Sequence, residues 1–318
     1  MTTPKPPTLP GGTAIEWAHY TFNPWRGCAK VSPGCAACYA ESWAIRYRRG
    51  EIWGPHARRE LAAEDYWQRP YRWNRLAERT GERARVFCAS LADVFEDRPD
   101  LDIPRARLFR LIEQTPWLDW LLLTKRPHNM FPLAVAGGWA GGWPENVWAG
   151  TSAEDQHRLD ERAQELLQVP AAIRFLSLEP LLSRVDVTRH LRCTHPSLSG
   201  GRCHSCAMVV ESDTIQIGEE IRGALIDWLI IGGESGRLAR EMDLMWVRDI
   251  LTQARSLAGY RVAVFVKQLG SNPVGFSQAE ADVYLEHPSG KGGDTDGWPP
   301  DLRVRDFPKV IRRKAVVA

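Results

Sequence analysis

A chain of 318 residues, 44% of them hydrophobic and 25% charged, has globular composition and the length to bury one large core. Its formal net charge of +2 excludes any argument for a polyanion partner from bulk charge, leaving only local clustering to make one. No apolar run approaches the roughly 20 residues that span a bilayer, so no membrane partner is expected.

Residues 1–14 read as a flexible leader. Met1 to Gly12 is rich in proline and threonine and lacks the apolar core of a signal peptide, so a cytoplasmic location is expected. Further along, short apolar runs recur at Arg85–Ala89, Trp120–Leu123, Val147–Ala149, Ile173–Leu176, Trp228–Ile231 and Val262–Val266. Continuous rather than alternating apolar character predicts strands covered on both faces, as in a parallel sheet. Amphipathic stretches lie between them, at Ile103–Gln114, Asp155–Leu167 and Leu244–Leu257, and predict helices. Each run ends in polar residues: Ser90 and Asp93; Thr124 to Arg126; Thr151, Ser152 and Glu154; Ser177 and Glu179; Gly232 to Ser235; Lys267 and Gln268. Functional groups after every strand suit a barrel, whereas a doubly wound sheet concentrates them at one switch point. The expected fold is therefore α/β, a partial TIM-type (βα) barrel of about six to seven parallel strands over residues 15–270. Residues 187–220 break the rhythm and read as an insertion, and residues 271–318 as a loop-rich C-terminal extension with a basic tail.

Six of the seven cysteines fall in two clusters, and in cytosol clustered cysteines more often bind metal than form disulfides. Cys88, alone in an apolar run, reads as a small buried hydrophobe. The first cluster, Cys28, Cys35 and Cys38, sits on one glycine-punctuated loop. Three thiolates can hold three irons of a cubane cluster and leave the fourth open; zinc is the competing ligand, but no fourth donor lies nearby. The second, Cys193, His195, Cys203, His204 and Cys206, has the density of a zinc site. It also suits an auxiliary iron–sulfur cluster or an unmetallated loop, and the choice between His195 and His204 stays open. Between Trp43 and Arg85, eleven arginines face six acidic residues, interleaved with tyrosines and tryptophans. That mixture suits nucleic acid or a nucleotide, and equally suits amphipathic helices with a tryptophan-rich packing face.

The cluster loop resembles the start of radical S-adenosylmethionine enzymes, with C-x6-C-x2-C in place of their usual C-x3-C-x2-C and Tyr39 after the third cysteine. Nearly the whole chain resembles a phage-associated, radical-SAM-like family of unknown function. The likeness runs through Ile15-Glu-Trp17, Asn23-Pro24, Ser90-Leu-Ala-Asp-Val-Phe95, Leu123-Thr-Lys-Arg-Pro127 and Gly150-Thr-Ser152. It continues through Leu176-Ser-Leu-Glu-Pro-Leu-Leu182, Ile231-Gly-Gly-Glu-Ser-Gly236, Phe265-Val-Lys-Gln268, Lys291-Gly-Gly-Asp294 and Trp298-Pro299.

The resemblance implies a cluster loop after the first strand, a 4Fe-4S cluster, S-adenosylmethionine on its open iron, and a 5′-deoxyadenosyl radical formed with an electron from a donor. Ser90 and Asp93 stand where the family's glycine-glycine-glutamate element would follow the second strand. With Ser152 and Glu154 they are the expected cofactor-binding residues. Glu179, Lys267 and Glu234, at three other strand ends, are the expected catalytic ones. The competing functions are a non-catalytic, metal-stabilised nucleic-acid-binding protein and a partner-dependent module.

Overall fold

Seven parallel strands run in strict chain order in the computed structural model, which describes residues 12–191, 202–203, 208–209, 226–256, 262–286 and 290–309. They are β1 (Tyr20–Thr21), β2 (Ala84–Cys88), β3 (Leu118–Thr124), β4 (Val147–Ser152), β5 (Ile173–Leu178), β6 (Trp228–Gly232) and β7 (Ala263–Gln268). Every neighbouring pair is parallel. Because the order never reverses, there is no switch point, and the sheet curls into a half-barrel rather than a doubly wound fold. The helices are α1 (Tyr39–Arg48), α2 (Arg69–Thr80), α3 (Asp102–Glu113), α4 (Met130–Ala134), α5 (Gln156–Leu167), α6 (Thr188–Leu191), α7 (Leu244–Arg255) and α8 (Gln278–Glu286).

Alternation along the strands sorts the side chains into two cores. Trp120, Leu122, Ala149, Leu176, Leu178, Leu229 and Ile231 join the larger core with the helices. Phe87, Leu121, Trp148, Phe175, Trp228, Ile230 and Phe265 join the smaller one on the concave side. Trp228 sits at its centre, with Trp17, Trp148 and Phe265 edge-on around it. The concave side below the strand ends is thus packed with rings, not hollow.

The C-terminal extension takes part in this barrel. Residues 304–306 pair with β7: Val266 N–H donates to Val304 O and Asp306 N–H to Val264 O. Phe307 then packs against Trp228 and Phe265, and Arg305 reaches Glu16 at 3.0 Å. This segment and the stretch before β1 together span the gap that the open sheet leaves between β7 and β1. Of the expected insertion, residues 187–191 are described: α6 packs there, and His190 Nε2 lies 2.8 Å from Asp160 Oδ1. Cys193, His195, His204 and Cys206 lie outside the described residues, as do Met1 to Gly11 and the basic tail from residue 310. Cys203 lies in a two-residue strand whose side chains are likewise not described.

Candidate functional site

The loop between β1 and α1 carries Cys28, Cys35 and Cys38 across the C-terminal ends of the strands. Asn23 fastens its first part: its side-chain amide donates to Ser90 Oγ at 3.1 Å and its carbonyl accepts from Leu91 N–H at 2.7 Å. Gly27 N–H donates to Leu91 O, and the Tyr39 hydroxyl donates to Ser90 O. The three cysteines are half-buried and none is in a disulfide.

A buried ionic network lies under Cys28. Arg126 Nη1 approaches the Cys28 sulfur at 3.6 Å and Asp93 Oδ2 at 2.8 Å, while Nη2 donates to Ala29 O. Asp93 also accepts from the Thr124 hydroxyl at 2.6 Å and from Phe95 N–H at 3.0 Å. Glu96 stands 3.7 Å from Arg126 and is held by both ends of the Arg59 guanidinium. Burial, and then the Asp93 charge, push the Cys28 thiol up to about 12, against the lowering pull of Arg126. Burial also raises Cys38. Without a metal both are neutral thiols at pH 7; a coordinated metal reverses that preference.

Glu154, just past β4, is fully buried under the same loop. It accepts from Gly34 N–H at 2.9 Å and pairs with the buried Arg162 of α5 at 2.9 Å. A Cβ at Gly34 would stand only 2.9–3.2 Å from this carboxylate, so the close approach depends on glycine. Burial by itself raises the Glu154 carboxyl, but the Ser32 side chain, the Gly34 hydrogen bond and the Arg162 charge hold it below its ordinary value. Asp155 N-caps α5, accepting from Arg158 N–H.

Alternation turns Lys125, Ser152, Ser177, Glu179, Gly232 and Lys267 toward the concave side, above the rings. Lys267 Nζ meets Glu179 Oε1 at 2.7 Å, and the Ser177 hydroxyl donates to Glu179 Oε2 at 3.1 Å. These two residues belong to β7 and to the end of β5, so the pair reaches across β6 at Gly232. Lys125 is half-buried and in no ion pair among the described residues; its charge acts on both Cys38 and Glu154. Glu234 is drawn away instead, clasped by the Arg240 guanidinium and backbone N–H.

The expected residues therefore divide. Glu179 and Lys267 face each other in the mouth, with Ser152 buried on the same rim. Ser90, half-buried, is tied to Asn23; Asp93 and Glu154 are committed to the cluster loop, and Glu234 to its own turn. The sequence places Lys125 at the mouth as a strand-end cation, but does not assign Arg126, Asn23, Glu96 or Arg59 to the site. The order Thr124-Lys125-Arg126 at a strand end was the available signal for Arg126.

Three unbridged thiols on one loop are soft donors of the kind iron–sulfur clusters use. As they stand they are not drawn together: among the described residues, no three His, Cys, Asp or Glu side chains form a metal-binding group. No described helix is long and apolar enough to cross a membrane.

A half-barrel of parallel strands with polar residues at its C-terminal rim places this chain among α/β proteins of the barrel kind. Residues 12–294 match the family described as protein of unknown function (DUF5131), and the chain belongs to that family. No curated protein and no solved structure matches it.

Proposed function

We propose that this chain is an iron–sulfur enzyme of the radical S-adenosylmethionine type, with Cys28, Cys35 and Cys38 holding a 4Fe-4S cluster. The observation that carries the reading is the position of three unbridged cysteines on the loop after β1, at the C-terminal rim where barrel enzymes keep their active sites. Loading draws the three thiols together. When bound, such a cluster supplies one electron, from an external donor, to S-adenosylmethionine at its open iron.

The chain's own residues do the rest. Lys125 and Lys267 bring positive charge to the mouth for a carboxylate, and Glu179 aims Lys267 and can accept from a ribose hydroxyl or an amino group. Ser90 and Ser152 border the same space. Arg126 donates toward the Cys28 sulfur and offsets thiolate charge, while Asp93 holds Arg126 and Glu154 holds the loop. The rings around Trp228 close the floor to water. A nucleotide or nucleic-acid base as substrate fits the arginines and exposed rings bordering the loop.

Anaerobic reconstitution with iron and sulfide should load about four irons per chain. Cys28→Ala, Cys35→Ala and Cys38→Ala should each abolish loading, and the loaded protein, reduced by dithionite in the presence of S-adenosylmethionine, should release 5′-deoxyadenosine. Iron retained in all three variants would overturn the cluster assignment. A full cluster that never cleaves the cofactor would turn the reading to a partner-dependent module. Elemental analysis of intact protein reads zinc, or a second iron species, expected on Cys193, Cys203, Cys206 and a histidine such as His195; a single metal site per chain would leave the insertion without one.

A further inference from the structure

We infer that the aromatic side of α1, from Tyr39 at the mouth to Tyr47, is a track for single-stranded nucleic acid that leads to the cysteine loop. Folding alone gives this helix little reason for its composition, since Ala40 and Ala44 are its only buried residues. Three rings stand at four-residue intervals, Tyr39, Trp43 and Tyr47, and so line one side of the helix. Tyr39 is 54% and Tyr47 53% exposed, and Trp43 is half-buried. Arginines accompany each of the outer two: Arg26 and Arg48 lie 5.6 and 5.5 Å from the Trp43 ring, and Arg46 lies 5.5 Å from Tyr47.

Two nearby carboxylates are engaged, whereas Glu51, just past the helix, is exposed and in no ion pair among the described residues. Glu41 is taken by Lys30, and Glu60 by Arg48 and Arg26. Arg46 and Arg49 are exposed and in no ion pair among the described residues. Arg49 ends the helix at φ 51°, a left-handed position that favours glycine, and so keeps its guanidinium there against backbone preference. By contrast, Trp67 and Trp73 are buried, the first edge-on to Phe22 and the second stacked on Tyr20, and belong to the core. Of the rings in this stretch Tyr47 on α1 is the exposed one, whereas the exposed arginines are shared between α1 and α2, where Arg69, Arg72, Arg75 and Arg79 stand.

Charge and spacing select the occupant. The guanidinium groups of Arg46 and Arg49, in no ion pair among the described residues, suit phosphates, and exposed rings suit bases of any sequence. The Trp43 and Tyr47 ring centroids stand 5.4 Å apart, well over the roughly 3.4 Å between stacked bases. A strand lying on the row is held extended with its bases unstacked, which a duplex does not offer. The row starts one residue after Cys38 and runs about 12 Å outward, so it delivers one end of the strand to the mouth. The inference rests on the proposed function for what the strand is brought to; binding itself needs no cluster.

The test is fluorescence anisotropy of the full chain, iron-free and reconstituted, with a labelled oligothymidylate of about 12 nucleotides and a duplex of equal length. The wild type should favour the single strand by roughly tenfold. Tyr47→Ala should weaken binding about tenfold, through loss of one stacked base. Arg46→Glu with Arg49→Glu should weaken it further and flatten the salt dependence by about two phosphates. The melting temperatures should move by under about 1 °C, because these side chains are exposed. Equal affinity for duplex, no binding by wild type at low salt, or variants that bind like wild type would each overturn the track. Iron-free protein that binds the strand but never loads a cluster would sink the proposed enzyme and spare the track. Loaded protein that cleaves the cofactor but ignores the strand would do the reverse.

Discussion

Glu154→Ala is the sharpest structural perturbation of the loop. The carboxylate is fully buried, and it is both the acceptor for Gly34 N–H and the partner of the buried Arg162 guanidinium. Removing one member of a buried pair costs about 3–5 kcal/mol, because the other charge stays buried without its counterion. Arg162 keeps a bond to Ser152 O, which sets the expected loss near the middle, about 4 kcal/mol. For a chain of this length the unfolding entropy is about 0.7 kcal/mol/K, so the melting temperature should fall by about 6 °C in calorimetry. Glu154→Gln keeps the acceptor and loses the charge, and should fall by about half as much. The carboxyl is held below its ordinary value, so its stabilisation is complete above the unfolded carboxyl near pH 4.3 and is lost as pH falls through the folded value. The gap between wild type and Glu154→Gln should therefore close as pH is lowered from about 6 toward about 3. Thiol reagents should label Cys35 and Cys38 faster in Glu154→Ala, since Gly34 is freed beside them. A melting temperature within about 1 °C of wild type, with unchanged labelling, would refute the clamp.

Two substitutions test how the half-barrel closes. Trp228→Ala empties the centre of the concave ring cluster and should cost about 3–5 kcal/mol in denaturant unfolding. Arg305→Ala removes a partly exposed ion pair to Glu16 and a cation over Phe265, and should cost only about 1 kcal/mol.

The strands from β2 to β7 were legible because each is a continuous apolar run followed by polar residues, the pattern of a buried parallel sheet. The helices α3, α5 and α7 were legible from their periodicity. β1 was not: two residues, Tyr20 and Thr21, carry no period, and their pairing with β2 is set by tertiary contact. Nor was the pairing of residues 304–306 with β7, since the segment is short, polar and without alternation. The role of Glu154 is hidden for another reason. Its partner Gly34 lies 120 residues away, so a strand-end carboxylate reads as a ligand until the loop is seen resting on it. Trp67 and Trp73, among arginines, suited either base stacking or a packing face, and burial against Phe22 and Tyr20 decides for packing. Cys28, Cys35 and Cys38 were legible as a group from their spacing. The network of Arg126, Asp93, Glu96 and Arg59 beneath them joins residues from three separate loops, and no local pattern announces it.

Gly232→Ala separates the mouth's charge pair from the stability of the fold. Glu179 and Lys267 can meet only because β6, which lies between their strands, ends in a residue without a side chain. A Cβ at Gly232 would stand 2.7 Å from Glu179 Oε1 and 3.3 Å from its Cγ and Cδ. The first of these is closer than any real contact, and the atom that must yield is the far end of a flexible side chain. The Glu179 carboxylate therefore swings away, and Lys267 loses its partner while the backbone stays in place. The pair is partly exposed, so its loss should lower stability by only about 1 kcal/mol. Binding should suffer more: a charge-assisted hydrogen bond aimed at a ligand is worth about 1.5–3 kcal/mol, roughly ten- to a hundredfold in affinity. Anaerobic calorimetry with S-adenosylmethionine on loaded protein should show that loss in Gly232→Ala and in Lys267→Met alike, with iron content unchanged. If Gly232→Ala binds like wild type while Lys267→Met does not, Lys267 needs no orientation by Glu179. If both bind like wild type, the pair is structural, and the cofactor does not use this side of the mouth.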